Sequence, residues 1–261
     1  MTNPVVTIYK IGGGIIDDAA ELSKFLELLA QTAGLKILVH GGGKGASTMM
    51  RELGLTPQLI NGRRVTDAAT LDIVTMFYAG KTNKQVVAEL QRLGINALGL
   101  SGADGNVIRG LKRPVKDIDY GFVGDLLPAS INAGLLQQLL AAGLTPVLCP
   151  IIHDGQGQLL NTNADTIASA VAVALASAYT VKLHYCFEKN GVLRDVADEQ
   201  SVIPEINSAK YLELKQQGII ADGMLPKLEN AFAALHQGVN QVVIGHARNI
   251  GNSLHTVLCL N

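Results

Sequence analysis

The sequence predicts an α/β fold with a largely parallel sheet. Short apolar runs alternate with longer segments whose apolar residues recur at helical spacing, the pattern of strands joined through helices. The 28 glycines collect where these segments meet, as tight strand–helix corners require. Hydrophobic residues are 48% of the 261 and charged residues 16%, which excludes disorder as the dominant state and allows one large core or two fused ones.

Residues 5–9 form a first apolar strand that runs into Lys10-Ile11-Gly12-Gly13-Gly14. Leu22, Phe25, Leu26 and Leu29 mark one face of a helix over 19–33, closed by Gly34. A short strand over 36–39 leads into His40-Gly41-Gly42-Gly43, and a helix over 46–53 ends at Gly54. Thr66 or Asp67 caps a long helix reaching Leu93, with Gly80 marking a point of weakness where it can break. After a strand at 97–100 the pattern shortens, and Pro114 with several Gly and Asp reads as an antiparallel hairpin excursion over 107–126. A helix at 132–142 and a strand at 144–152 follow, then a turn at 153–157 and a helix at 164–177. The rest repeats the alternation: a strand at 179–187, helices at 208–217 and 225–237, and strands at 241–244 and 256–260.

The two glycine blocks carry the first functional signal. Each joins an apolar run to a helix, so each presents bare backbone N–H groups and a helix N-terminus, which suit anions. Lys10 adds a fixed positive charge at the first corner. Two such corners suit a pair of anions held close together, as phosphoryl transfer to a carboxylate demands. Like charges about 4 Å apart repel by ~1 kcal/mol in water and several-fold more in a drier cleft. Fixed cations and N–H dipoles must offset that repulsion, and an ionised carboxylate needs no general base.

Blander readings compete for the same residues. Gly41 to Ala46 also fits the G-x-G-x-x-G/A corner of a dinucleotide site, but the region that should end in an acid ends in Arg63-Arg64. Those arginines suit a phosphorylated nicotinamide cofactor, a carboxylate substrate or plain surface charge. Gly80-Lys81-Thr82 is not a P-loop, because Thr75 stands where its first glycine belongs. Asn161, Asn163 and Asp165 precede a helix, which needs only one cap, so the others are free to face a cleft. Lys227 begins a predicted helix, where the dipole disfavours a cation; a catalytic group would tolerate that misfit.

Composition narrows the function classes. A net charge of -1 gives no sign of nucleic-acid or membrane-surface binding. The longest apolar run, around 167–178, is too short and Ala-rich for a membrane span, and no leader pattern precedes the first strand. Cys149, Cys186 and Cys259 are odd in number and far apart, which predicts buried free thiols in a reducing, cytoplasmic setting. The six histidines fall at no metal-ligand spacing, so no metal site is expected.

In order along the chain, Lys10-Ile11-Gly12-Gly13, His40-Gly41-Gly42-Gly43 and Asn61-Gly62-Arg63-Arg64-Val65-Thr66 are followed by Gly99-Leu100-Ser101-Gly102-Ala103-Asp104-Gly105. Asn161-Thr162-Asn163-Ala164-Asp165 comes next, then Gly218-Ile219-Ile220-Ala221-Asp222-Gly223-Met224 running on to Lys227. The set resembles the amino-acid kinase family, and within it the enzymes that phosphorylate acylated glutamate. The resemblance covers nearly the whole chain. It implies a three-layer αβα sandwich of the carbamate-kinase type around a mainly parallel central sheet. It implies an N-terminal lobe (1–177) for acylglutamate binding and dimerisation and a C-terminal lobe (178–261) for ATP, sharing one continuous sheet. The implied reaction is transfer from ATP, with Mg2+, to the side-chain carboxylate of an N-acyl-L-glutamate in arginine biosynthesis. By position, Lys10 and Lys227 would stabilise the transferring phosphoryl group and Asp165 would orient them. Gly42, Gly43, Arg64 and Asn161 would bind the acylglutamate, with Arg64 on its α-carboxylate. Gly12, Gly13, Glu188, Lys189, Gly191, Ile220 and Ala221 would serve the nucleotide.

One segment departs from the family. Its nucleotide loop usually reads Ser/Thr-Asp-Val-x-Gly, whereas here it is Phe187-Glu188-Lys189-Asn190-Gly191, with Glu188 keeping the carboxylate's sign. That departure leaves a non-catalytic ligand sensor as a rival reading. Acetyl is the family's default acyl group; succinyl would need more room or a cation, and Lys112, Arg113 and Lys116 of the excursion are candidates. The family's arginine-inhibited members carry an extra N-terminal helix, so a chain that begins at the strand is expected to be an arginine-insensitive homodimer.

Overall fold

A computed structural model describes residues 3–60, 62–220 and 224–260. Eight strands form one sheet: β1 (Val5–Ile11), β2 (Leu35–His40), β3 (Ala97–Leu100), β4 (Thr145–Leu148), β5 (Thr180–Phe187), β6 (Glu205–Ile206), β7 (Gln241–His246) and β8 (His255–Leu258). Their spatial order is β6-β8-β7-β5-β1-β2-β4-β3, and only the β7–β8 pair is antiparallel. Parallel neighbours cannot be joined by tight turns, and helices make the crossovers. They are α1 (Gly13–Asp17), α2 (Ala19–Gln31), α3 (Gly45–Glu52), α4 (Ala68–Val74), α5 (Asn83–Arg92), α6 (Ala133–Ala141), α7 (Ala164–Leu175), α8 (Ser208–Gln216) and α9 (Leu225–His236).

β1 lies inside the sheet, paired from Val5–Thr180 to Ile11–Cys186 with β5 and from Val6–Leu35 to Ile11–His40 with β2. Its alternation sorts the helices into two layers. Val6 and Ile8 pack with Ile167, Val171 and Leu228 of α7 and α9. Tyr9 and Ile11 pack on the opposite face with Phe25, Leu26 and Leu90 of α2 and α5. Lys10 shares the parity of Val6 and Ile8, so its side chain leaves β1 on the α7 side.

Several boundaries differ from the sequence expectation. The helix from Asp67 does not break at Gly80; it continues through a π-helical stretch, Thr75–Thr82, into α5. The widened turns bring the consecutive rings of Phe77 and Tyr78 against one glycine corner. A Cβ on Gly45 would lie 2.1 Å from Phe77 Cζ, and one on Gly42 2.1 Å from Tyr78 Cζ. The run 144–152 is not one strand. Pro150, which has no N–H to donate to a ladder, separates β4 from Ile151–His153, which pairs antiparallel with Leu159–Asn161. The excursion closes through Leu111–Lys112 against Gly124–Asp125. The two-residue β6 is too short for periodicity to mark. Cys149 and Cys186 are buried free thiols that burial raises to about 12, but Cys259, expected to be buried, is only half-buried. Among the described residues no helix is long and apolar enough to cross a membrane.

Candidate active site

A cavity of about 490 Å3 opens at the C-terminal ends of β1 and β2, where ligands bind in open α/β sheets. Lys10, both glycine corners, Arg64, Asn161 and Asp165 line it. Lys10 Nζ lies 2.7 Å from Asp165 Oδ1, with the two side chains 13% and 25% exposed. Asp165 stands in the first turn of α7, but it is not the cap. Asn163 Oδ1 accepts from the N–H groups of Asp165 (2.7 Å) and Thr166 (3.4 Å), which leaves the Asp165 carboxylate to Lys10. Tyr185, opposite Lys10 in the β1–β5 register, donates its hydroxyl to the Asp165 carbonyl at 3.4 Å. Burial, and then the Asp165 charge, push that phenol well above its usual range, so it stays a neutral donor.

The glycine corners meet because neither carries a Cβ: one on Gly13 would lie 2.9 Å from Gly43 Cα. Gly43 is left-handed, with φ +62. The second corner is less bare than its sequence suggests. Both carboxylate oxygens of Asp17, the last residue of α1, accept from the Lys44 N–H at 2.8 Å. Beneath the corner, His40 is fully buried. Its Nε2 accepts from Asn83 Nδ2 at 3.1 Å, and its Nδ1–H donates to the Gly41 carbonyl at 2.9 Å. Burial lowers its pKa to about 4, so the ring is neutral.

Arg64 reaches the cavity half-buried, donating to Ser47 Oγ at 2.8 Å and resting against Met50 Sδ at 3.4 Å. No carboxylate among the described residues pairs with it, so its charge is free for an anion. Burial raises the Tyr78 hydroxyl and the neighbouring Arg64 draws it part of the way back. Asn161 is buried and donates from Nδ2 to Thr66 Oγ1 at 3.1 Å; Thr66 in turn donates to the Arg64 carbonyl at 3.0 Å. Of the excursion's cations, Arg113 lines the cavity but is held by Asp125, with Nε 3.1 Å from both carboxylate oxygens. Lys112 lies over the Phe122 ring at 4.7 Å, and Lys116 faces an adjoining cavity of about 430 Å3.

The remaining sequence candidates sit elsewhere. Lys227, in the first turn of α9, does not line the cavity; its ammonium stands 4.9 Å from the centroid of Phe187. Phe187 ends β5 one residue past Cys186, the partner of Ile11, so the ring that Lys227 covers and Lys10 lie toward the same end of neighbouring strands. Glu188 packs its carboxylate on the first corner, where a Cβ on Gly14 would lie 1.7 Å from Glu188 Oε1. Lys189 is exposed and paired with Glu199 at 2.9 Å. Gly191 is a packing glycine, since a Cβ there would meet Thr256 Oγ1 at 2.6 Å. The Ile220 side chain is in the main core. Asn61, Ala221, Asp222 and Gly223 lie outside the described residues. Among the described residues no group of three or more His, Cys, Asp or Glu side chains is placed to hold a metal ion.

Sequence reasoning missed Asp17, Tyr78 and Asn83. Asp17 stands beside Asp18, which has the recognisable role: it caps α2 by accepting from Ala20 N and Glu21 N. Tyr78 and Asn83 read as part of a helical stripe, and no local pattern shows which loop a helix faces.

Comparison with known proteins places this geometry in a family. The acetylglutamate kinase of Phocaeicola vulgatus is 53% identical over 253 residues, 97% of this chain and 98% of that protein. The solved N-acetylglutamate synthase of Neisseria gonorrhoeae, complexed with coenzyme A and N-acetyl-glutamate, superposes with a TM-score of 0.81 at 22% identity, over all of this chain and 60% of that one. The carbamate kinase of Giardia lamblia bound to AMP-PNP gives a TM-score of 0.70 at 12% identity, over 99% of each chain. These two likenesses speak for the fold: a three-layer αβα sandwich around a mainly parallel sheet. With residues 6–246 matching the family as a whole, the chain belongs to the amino acid kinase family.

Proposed function

We propose that this chain phosphorylates the side-chain carboxylate of N-acetyl-L-glutamate at the expense of Mg-ATP, a step of arginine biosynthesis. The observation that carries the reading is one cavity holding both an oriented ammonium, Lys10 on Asp165, and an unpaired guanidinium, Arg64. The name of the relative that shares 53% of its residues with this chain supports it.

Arg64 takes the acceptor's α-carboxylate through its planar fork, which a lysine could not reproduce. Asn161 helps Arg64 there, and the backbone of Gly42 and Gly43 binds oxygens of the acylated acceptor. The acceptor's distal carboxylate then points toward Lys10. Gly12 and Gly13 offer N–H groups to the triphosphate, and Glu188 fixes the corner from the C-terminal side. Lys10 offsets charge on the transferring phosphoryl group, and Asp165 keeps its ammonium aimed. Lys227 reaches the same group by leaving the Phe187 ring on its flexible stem. Magnesium bound to ATP as part of the substrate would supply further positive charge against the phosphates. Ile220 and Ala221 serve the nucleotide, as do Lys189 and Gly191 of the loop.

Among the described residues, every one that lines the cavity precedes residue 177, which supports 1–177 as the acceptor lobe and 178–261 as the nucleotide lobe. The enzyme works as a cytoplasmic homodimer on this reading.

A coupled ADP-release assay with N-acetyl-, N-succinyl- and free glutamate tests it. N-acetylglutamate should give the highest kcat/KM, with an acyl phosphate that hydroxylamine traps. Acylglutamate binding by calorimetry without ATP consumption would instead mark a ligand sensor.

A further inference from the structure

We propose that Asp17 is a positioning residue that sets the distance between the two ligands. This rests on the kinase reading, in which the first corner holds the phosphoryl donor and the second faces the acceptor. Asp17 belongs to the first corner by sequence, closing the five-residue α1 that begins at Gly13. Its contacts belong to the second corner. Both carboxylate oxygens accept from the Lys44 N–H at 2.8 Å, across 27 residues of chain. It also fills the space where Gly43 has no side chain, since a Cβ there would lie 2.4 Å from Asp17 Oδ1. The same carboxylate is 3.7 Å from where a Gly13 Cβ would be. Gly13, Gly43 and Asp17 thus form one joint, with the backbones in contact and the carboxylate closing it.

The charge is used structurally. An acid at the start of α3 satisfies the N–H that the sequence alone would offer to a ligand. The anion-binding work on the acceptor side then falls to Arg64. Asp17 itself is exposed, so removing its carboxylate leaves the core intact while freeing the corners to drift. Drift between two bound reactants acts on turnover. Each ligand keeps its own contacts, but the near-attack spacing is lost, and misplacement by about 1 Å can cost ~10²-fold.

The test is Asp17→Ala beside Asp17→Asn, which keeps one oxygen able to accept from Lys44. Asp17→Ala should lower kcat about 10- to 100-fold, with KM for ATP and for N-acetylglutamate and the melting temperature little changed. Hydrogen exchange at the Lys44 amide should quicken, and Asp17→Asn should recover most of the turnover. A kcat within twofold of the unaltered enzyme in Asp17→Ala overturns the proposal. So does a loss that follows the melting temperature and disappears in the cold. If the unaltered protein turns over no acylglutamate, the kinase reading fails instead. The Lys44 exchange then decides alone, and no acceleration in Asp17→Ala rejects the joint.

Discussion

At the scale of single residues, the site depends on which charges are already paired. Lys10 is held by Asp165, so its ammonium is aimed before any substrate arrives, whereas Arg64 has only neutral partners and its charge awaits one. Their losses should therefore differ. Lys10→Ala should reduce kcat by about 10²–10³, the range for losing a fixed transition-state donor, with smaller changes in either KM. Arg64→Lys should raise the KM for the acceptor about tenfold or more and leave that for ATP unchanged, because an ammonium cannot grip Ser47 and present a fork to a carboxylate. Steady-state kinetics with each substrate varied separately checks both. That Lys10, Arg64, Asn161 and Asp165 line one cavity is legible in part from the sequence, because each is a polar residue beside an apolar run or at a helix start. Asp17 is not, since its partner lies 27 residues away. Gly191 enters through the loop motif alone, and only the fold shows that its missing Cβ also makes room for Thr256.

At the scale of elements, α7 is the part that sets the chemistry. Its N-terminal turn delivers Asp165 to Lys10 only because Asn163 takes the capping role. Asn163→Ala should cost about 1 kcal/mol and lower the melting temperature by about 2–4 °C. It should also reduce kcat, since Asp165 would be drawn toward the open helix end. A calorimetric melt paired with kinetics at one temperature separates the two effects; an unchanged kcat would mean that the cap serves stability alone. The existence of α7 follows from its apolar stripe, and three polar residues at its start are more than one cap requires. The π-helical stretch was hidden, because it shifts the phase of a pattern that otherwise looks like one long helix. Phe77 and Tyr78 reach the glycine corner through that phase shift. Continuous hydrophobicity likewise hid the end of β4, where Pro150 separates two sheets.

At the scale of the whole molecule, the sheet holds two histidines in neutral form, His40 fully buried and His184 half-buried, and this ties stability to pH. His40 sits under the second glycine corner, facing Asn83, the Gly41 carbonyl and the positive charge of Lys84. His184 lies in β5 with its ring 5.1 Å from that of Tyr9 and 6.5 Å from that of His255, with the Lys182 charge nearby. Burial above all lowers each from 6.5 to about 4; at His40 the Gly41 hydrogen bond works against the fall and Lys84 adds to it, and at His184 His255 and then Lys182 add to it. In the unfolded chain both would protonate near pH 6.5; in the fold they resist until about pH 4. The unfolded state therefore binds more protons in that window, and stability falls as pH falls through it. Each ring accounts for a loss on the order of 3 kcal/mol, a sizeable part of the roughly 5–15 kcal/mol that holds a domain together. Thermal melts between pH 7.5 and 4.5 should show a melting temperature that is level above pH 7 and declines steadily below about 6.5. His184→Phe keeps a ring between Tyr9 and His255 but cannot take a proton, so it should flatten the decline by about half. A melting temperature that stays level to pH 5, or a His184→Phe variant that declines like the unaltered chain, would mean that these histidines are charged inside the fold. The hydrogen bond from Asn83 to His40 Nε2 would then have to be broken, and the second glycine corner would lose the support under Gly41.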